Sequence, residues 1–395
     1  MKRNLENNIK YLQVIRIATW FQVLMPIVLL FFKAHHLELS DIMILQAVYS
    51  ISTLVLEIPT GYIADIIGRR KTLILGFLIS AVAYIIFSFS FNFFGFLIAE
   101  LIFGLGESFI SGTDSAMLYD TLLSQEKQNE YVKHEGKLTS FGNFSEAIGG
   151  ILGGMLILIS IRLPLYVEAL IYFVAVPFAF LLVEPPRHNN TKFKTVKEIV
   201  KVFKQTWVRK SRLNVFLWFS SIVGAATLTM AWLVQPYLLK IEIPQAAFGI
   251  IWTSLNLTAG FFSFFAHKFV KNLSKTIIIS CLTICILISY FGLSILQNGI
   301  GILIFFFFYS IRGIGTPVLK EFINIETTSD IRATVLSIRN FTIRILFSII
   351  ALFIGFMPHL STQRVYLIVG FIFGSLFLFS LLRMVSLKFK NPNSK

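Results

Sequence analysis

Residues 61–71 read Gly-Tyr-Ile-Ala-Asp-Ile-Ile-Gly-Arg-Arg-Lys and decide how the chain is organised. On either side lie apolar stretches, residues 40–64 and 72–91, of about the 20-residue length that crosses a hydrocarbon core. Gly68 permits a turn that a Cβ would obstruct, and the three cations that follow it are typical of a short cytoplasmic connection. The stretch therefore predicts two membrane helices joined by a tight cytoplasmic turn.

The composition extends this interpretation to the whole chain. Of the 395 residues, 56% are hydrophobic and only 14% are charged, and the mean hydropathy is +0.77. Soluble proteins keep roughly a quarter of their residues charged, so a soluble enzyme and a free nucleic-acid-binding protein are excluded. The two Cys cannot build a disulfide framework.

Twelve apolar windows of membrane-crossing length occur, six on each side of one long basic connection. They are residues 11–32, 40–64, 72–91, 95–118, 139–160, 164–184, 212–238, 245–267, 276–296, 299–320, 334–356 and 364–386. The sequence therefore predicts an all-α integral membrane protein with twelve transmembrane helices in two six-helix halves. We expect the halves to be residues 1–184 and 212–395, joined by a basic cytoplasmic linker at 185–211.

The cations orient these helices. The odd-numbered connections hold only Lys33, Arg162, Lys240 and Arg364, whereas clusters of Lys and Arg occupy the termini and the even-numbered connections. By the positive-inside rule both termini are cytoplasmic, and the net charge of +15 serves insertion and contact with anionic lipids rather than binding of nucleic acid. Richness in Ile, Phe, Lys and Asn is typical of an AT-rich bacterium, so we expect the membrane to be a bacterial cell membrane.

The two halves repeat each other. Ser-Phe-Gly-Asn-Phe at 140–144 is echoed by Ser-Ile-Arg-Asn-Phe at 337–341, and Gly-Leu-Gly at 104–106 by Gly-Ile-Gly at 313–315. Matches at equivalent positions indicate an internal duplication, which is the usual construction of secondary transporters with a binding site between the repeats.

The stretch at 61–71 resembles the signature loop of the major facilitator superfamily, G-x-x-x-D-x-x-G-R-[RK], at its expected place between the second and third helices. With twelve helices, a central linker and duplicated halves, the resemblance covers essentially the whole chain. It implies a secondary transporter, not an enzyme, that moves a small molecule by alternating access without a cofactor or metal. We expect a monomer.

The resemblance also implies roles for individual residues. The aspartate would lock against the start of the eleventh helix, and the first arginine would pair with an acid at the cytoplasmic end of the fourth helix. That acid is Asp120, although Asp114 lies only about 9 Å earlier along the same helix. Gly61 would let a neighbouring helix approach closely. The predicted gating set is Gly61, Asp65, Gly68, Arg69, Arg70 and Asp120.

Two stretches depart from the patterns of family exporters. The antiporter signature G-P-x-x-G-G of the fifth helix lacks its proline here, where residues 145–150 read Ser-Glu-Ala-Ile-Gly-Gly. Glu100 stands four residues before Gly104, where exporters of the family tend to place an Arg. Their coupling scheme therefore does not transfer directly to this chain.

Ionisable residues at hydrocarbon depth are costly and usually functional. Glu100, Glu107 and Asp114 follow one another at steps of seven in the fourth helix, so they would form one stripe about 21 Å long. Since the family places this helix beside the central cavity, the stripe would face inward and relay protons or attract a cationic substrate. In the alternative, Glu100 and Asp114 reach water near the two membrane interfaces.

Other charges complete the predicted proton and substrate pathway. Arg312 of the tenth helix lies near the midplane, where it would pair with Glu107 or bind an anionic substrate group. Glu57 lies on the helix face of Gly61, where it would extend the gate, join the proton path or make a structural hydrogen bond. Arg16 and Glu168 are near enough to helix ends that we expect them to reach water.

The leading functional hypothesis is a proton-coupled antiporter that moves a small organic molecule out of the cell. The 42 Phe are consistent with an apolar cavity, and the chain is generally similar to bacterial drug exporters of the family. An importer of a sugar, amino acid or siderophore is the alternative. A membrane enzyme or receptor lacks a cluster of nucleophile and base, and an ATP-driven pump lacks a phosphate-binding loop.

Overall fold

The computed structural model describes residues 5–127, 130–186, 211–327, 332–357 and 359–390. Every regular element in these ranges is a helix, which confirms the predicted all-α class. The first-half helices are α1 (Asn7–Trp20), α2 (Val28–Ala34), α3 (Leu39–Ile67), α4 (Arg69–Phe89), α5 (Phe93–Ile110), α6 (Thr113–Ser124), α7 (Tyr131–Leu156) and α8 (Leu163–Leu181). The second-half helices are α9 (Arg212–Lys240), α10 (Ala246–Phe264), α11 (Ala266–Val270), α12 (Lys275–Ile295), α13 (Gly301–Ile325), α14 (Arg332–Gly355) and α15 (Thr362–Lys390).

Eleven helical segments in the described ranges are long and apolar enough to cross a membrane. They correspond to eleven of the twelve predicted windows. The remaining window, 139–160, falls largely within α7, which is helical but less apolar because Asn143, Glu146 and several glycines lower its hydropathy. The predicted linker at 185–211 lies almost wholly outside the described residues.

The chain divides into two compact units. The first unit comprises residues 1–190 and 243–253, and the second comprises residues 191–242 and 254–395. The boundaries predicted from the sequence, 184 and 212, stay a prediction.

The first predicted helix is interrupted, unlike the continuous helix expected over residues 11–32. α1 ends at Trp20, residues 21–24 are not helical, and a 3-10 turn at Met25–Ile27 leads into α2. The cause is Pro26, which has no backbone N–H and whose ring clashes with the carbonyl of the preceding turn. Backbone amides of this segment therefore need partners outside their own helix.

The fourth predicted helix is also interrupted. α5 ends at Ile110 and α6 begins at Thr113, because Gly112 adopts a left-handed conformation with φ +75°. The break falls between Glu107 and Asp114, so the expectation of one continuous carboxylate stripe is wrong.

The surface of the described chain carries many large apolar side chains. Phe94, Phe264 and Ile295 are 72%, 76% and 77% exposed, whereas Phe77 and Phe96 are completely buried. Large exposed apolar side chains on long apolar helices suit a lipid environment rather than water.

Candidate functional site

The turn between α3 and α4 is held by a carboxylate that the sequence analysis did not identify. The backbone N–H groups of Arg69 and Arg70 each donate to Glu184, at 2.8 Å to Oε1 and 2.8 Å to Oε2. The acid thus satisfies two free amides at the start of α4 and opposes the positive end of the helix dipole. The available indication in the sequence was an acid directly before Pro185 and Pro186, at the end of the sixth window.

Gly68 is required at this turn for two reasons. Its backbone lies at φ +96° and ψ 152°, a region that side chains other than glycine rarely adopt. A Cβ built on it would also lie 2.9 Å from the Glu184 carboxyl carbon. At Gly61, in contrast, a Cβ would meet no described atom within 4 Å, and the close helix approach expected there stays a prediction.

The side chains of the two arginines reach different partners. Arg69 Nε donates to Asp120 Oδ2 at 2.7 Å, so the two residues that the resemblance paired are in contact. Arg70 Nη2 donates to the carbonyl oxygen of Phe180 at 2.8 Å. The side chain of Asp65 lies outside the described part of the structure, and the gating role of the whole set stays a prediction.

The end of α8 is anchored beside this turn by Asn8. Its amide donates to the Val183 carbonyl at 2.8 Å and to Thr121 Oγ1 at 3.0 Å, and its Oδ1 accepts from the Val183 N–H at 2.8 Å. Asn8 is fully buried. These bonds position Glu184 by fixing the residue before it.

A second charged cluster surrounds Arg16. Its Nη2 lies 2.6 Å from Asp114 Oδ2 and 3.6 Å from Glu135 Oε1, and Ser115 Oγ donates to Glu135 at 3.2 Å. Arg16 is 9% exposed, so the expectation that it reaches water is wrong: α1, α6 and α7 enclose it with two counter-charges. Burial raises the pKa of the Glu135 carboxyl, an effect that Arg16 opposes and Asp114 reinforces.

The other two carboxylates of the predicted stripe bind different helices. Glu100, 4% exposed, accepts from Gln46 Nε2 of α3 at 2.7 Å. Glu107 accepts from the Tyr172 hydroxyl of α8 at 3.1 Å. Glu100, Glu107 and Asp114 therefore contact α3, α8 and α1, respectively, and Glu100 does not reach water in this conformation.

Glu168 of α8 binds the interrupted backbone between α1 and α2. Its Oε1 accepts from the Val23 N–H at 2.6 Å and from the Leu24 N–H at 3.1 Å. The side chain is 2% exposed, so the expectation that it reaches water is wrong. The carboxylate satisfies amides that the break leaves without helical partners.

The two remaining candidates for the proton and substrate pathway, Glu57 and Arg312, are less buried than Glu100. Glu57 is exposed and accepts from Ser111 Oγ at 3.0 Å, beside the break that follows α5. In the second unit, the Arg312 guanidinium carbon lies 5.2 Å from the centre of the Tyr309 ring. Pairing of Arg312 with Glu107 stays a prediction.

The second unit contains a buried cation, Arg339. Arg339 is 6% exposed; its Nε donates to Ser220 Oγ at 2.6 Å and its Nη1 to Asn340 Oδ1 at 3.2 Å. Within the described part of this unit no carboxylate lies within ion-pair distance of it. Nor does any group of three or more His, Cys, Asp and Glu side chains among the described residues form a metal site.

At the opposite end of the first unit from Gly68, Arg162 connects three chain segments. Its Nη2 lies 2.5 Å from His35 Nε2 and 3.0 Å from the Ser90 carbonyl oxygen, and its Nη1 donates to the Ser88 carbonyl. The guanidinium carbon also lies 3.9 Å from the centre of the Phe91 ring, which is a cation–π contact. One side chain thus links the ends of α2, α4 and α8.

These contacts require neutral His35. Because Arg162 can only donate, His35 Nε2 must accept, and Nδ1 then donates to the Phe31 carbonyl at 2.8 Å. Burial lowers the pKa of His35; the bond to Phe31 opposes this, and the Arg162 charge adds to it.

Comparisons with known proteins agree with this architecture. The sequence model of the Major Facilitator Superfamily matches residues 14–348. The chain is 23% identical over 310 residues to YxaM of Bacillus subtilis, described as an uncharacterized MFS-type transporter, with 76% of each chain covered. It is 21% identical over 181 residues to the quinolone resistance protein NorA of Staphylococcus aureus, with 46% of each chain covered.

Solved structures show the same fold at low sequence identity. The nucleoside transporter NupG has a TM-score of 0.78 and 15% identity, covering 96% of this chain and 99% of that one. An inward-facing, unoccupied bacterial homolog of the human lysosomal transporter Spinster has a TM-score of 0.73 and 13% identity, covering 98% of this chain and 94% of that one.

We expect Gly68→Ala to destabilise the protein by about 1–3 kcal/mol, because alanine is strained at this φ and its methyl group collides with Glu184. The melting temperature in detergent should fall, and adding Glu184→Ala should not restore it, since the backbone strain remains and the two amides that begin α4 lose their acceptor. Gly61→Ala is the matched control and should change little. Unchanged stability of Gly68→Ala would contradict the described turn.

The His35 cluster predicts a loss of stability on acidification. In the unfolded chain His35 binds a proton near its ordinary pKa of about 6.5, whereas in the folded chain it binds one only at lower pH. The free energy of unfolding therefore falls as the pH drops below about 6.5. His35→Asn should flatten this part of the profile of melting temperature against pH. The control is His36→Asn, an exposed neighbour at φ +61° that asparagine tolerates. Identical profiles for the wild type and His35→Asn would refute the prediction.

Proposed function

The chain belongs to the major facilitator superfamily, and from that premise we propose that it is a bacterial cell-membrane antiporter that exports a small organic molecule in exchange for protons. The observation that carries the proposal is a set of carboxylates within the membrane segments of the first unit: Glu100 and Glu168, which are buried, and Glu107, which is partly buried. Carboxylates at hydrocarbon depth are costly and are retained for ion pathways and proton relays.

The contacts of these carboxylates support proton exchange. Glu100 accepts a hydrogen bond from the uncharged Gln46 side chain, and in the described structure no cation lies within ion-pair distance of it. Glu107 accepts a hydrogen bond from the Tyr172 hydroxyl. An amide or phenol donor can stay in place whether the carboxyl is ionised or protonated. A proton can therefore bind Glu100 without breaking an ion pair.

The similarity to the quinolone resistance protein NorA favours export as the direction of transport. The phenylalanine-rich helices suit an apolar substrate. The alternative proposal is an importer of a sugar, amino acid or siderophore. The likeness to a nucleoside transporter concerns the fold alone and does not favour import. Cytoplasmic termini and a monomeric state are part of the same proposal.

The functional experiment is transport in everted membrane vesicles across a panel of drug-like compounds, with a protonophore as the control. We expect gradient-dependent accumulation of at least one compound in vesicles that contain the protein, and its loss when the proton gradient is collapsed. Accumulation that survives the protonophore would reject proton coupling and leave the family assignment intact.

Glu107→Gln tests the proton pathway. It should abolish gradient-driven accumulation but leave substrate binding and passive exchange measurable, because those steps transfer no net proton. The matched control is Glu242→Gln, which removes an exposed carboxylate outside the membrane segments. Selective loss of cation binding with intact proton-coupled transport of neutral compounds would make Glu107 a substrate counter-ion instead.

A further inference from the structure

The interruption between α1 and α2 places irregular backbone inside a membrane-spanning segment, residues Asn7–Ala34. Hydrocarbon offers no hydrogen-bond partner, so backbone N–H groups freed at membrane depth require partners from the protein. Irregular backbone in transporters is also where conformational change and ligand binding concentrate. What holds this break in place therefore bears on how the first unit moves.

A single carboxylate oxygen holds it. Glu168 Oε1 accepts from both Val23 and Leu24, at 2.6 and 3.1 Å, and the side chain is 2% exposed. Hydrogen bonds to an ionised carboxylate are roughly twice as strong as those to a neutral acceptor. A proton on Glu168 would therefore weaken both bonds at once, while water is excluded as a substitute.

The surroundings of Glu168 leave its charge without a cationic partner. In the described chain no Lys, Arg or His lies within ion-pair distance of it. The titratable groups that face it are Glu107 of α5, Tyr84 of α4 and Tyr172 of its own helix, all of which interact with it electrostatically. None of these three groups carries a positive charge, so a proton can bind Glu168 without breaking an ion pair.

The same backbone is packed closely from α7. A Cβ built on Gly149 would lie 3.1 Å from the backbone N and O of Gln22, and a Cβ on Gly153 would overlap the Val23 carbonyl oxygen. No side chain separates α7 from the break at these two glycines. Residues 22–24 therefore cannot move toward α7 without displacing it. The break is thus coupled to its neighbours by direct backbone contact.

The opposite face of α7 contacts residues 243–253, which belong to the same unit. A shift of α7 would therefore also displace these residues. A Cβ on Gly154 would lie 3.2 Å from Gly249 Cα, and Thr253 Oγ1 donates to the Ala147 carbonyl at 2.9 Å. The start of α10 therefore rests on the helix that packs against the break.

We propose that Glu168 is a positioning residue that joins proton binding to the conformation of the first segment. Ionised, it holds the amides of Val23 and Leu24 strongly; protonated, it holds them more weakly, so that the break and α7 move more easily. This inference rests on the proposed proton-linked transport and assigns it a conformational step. It requires no contact of Glu168 with the transported molecule.

The test is hydrogen–deuterium exchange of the peptide backbone over residues 21–27, measured on the intact protein in lipid nanodiscs at several pH values and corrected for intrinsic exchange. We expect protection of the Val23 and Leu24 amides to fall severalfold as the pH is lowered. Glu168→Gln keeps an acceptor oxygen but cannot titrate, so its exchange in this segment should be independent of pH. Glu100→Gln, which removes a buried carboxylate from a different contact, should retain the wild-type dependence.

If Glu168→Gln does not fold, Glu168→Asp is the second variant for the same measurement. The shorter acid still titrates but reaches the amides poorly, so pH dependence should persist at lower overall protection. Wild-type protection that does not change with pH, or pH dependence retained in Glu168→Gln, would overturn the inference.

The outcome is separable from that of the proposed function. If the amides titrate through Glu168 but transport ignores the proton gradient, the proposed function fails and the switch at the break stands. If transport is proton-linked and Glu168→Gln leaves the pH dependence of exchange unchanged, only this inference fails.

Discussion

The first unit depends on satisfying backbone hydrogen bonds where a membrane helix is broken. Pro26 interrupts the first segment, hydrocarbon supplies no replacement donors or acceptors, and Glu168 provides the missing acceptor. At the turn between α3 and α4 Glu184 does the same for the two amides that begin α4. In both places a carboxylate from the sixth predicted segment binds backbone N–H groups of another helix, so α8 and its C-terminal end organise the unit.

The distribution of charge along the chain supports a division of tasks between the halves. None of the six predicted windows of the second half contains Asp or Glu, whereas Arg312, Arg339 and Arg344 lie within them. Glu100, Glu107 and Glu168 all belong to the first half. This asymmetry is consistent with the proposal that protons bind in the first unit. In the same proposal, the cations of the second unit would bind an anionic or polar group of the substrate.

Features set by local sequence could be predicted, and those set by distant contacts could not. The turn at 61–71, the apolar windows and the contact of Arg69 with Asp120 follow from composition, glycine chemistry and a family motif. The roles of Glu168 and Glu184 depend on partners more than 100 residues away, and no periodicity reports such contacts. Pro26 and Gly112 were visible indications of the two helix breaks, but their effect on the carboxylates of the fourth segment required the structure.

The central claim is that the buried carboxylates of the first unit bind and release protons, and its most direct measurement is a pH-induced infrared difference spectrum of the protein in lipid. The account predicts a carbonyl-stretch band from protonated carboxyl groups that titrates in the wild type. The band should diminish in Glu168→Gln and Glu107→Gln and persist in Glu242→Gln. A wild-type spectrum with no titrating carboxyl band, or a band that neither Glu168→Gln nor Glu107→Gln alters, would contradict the account.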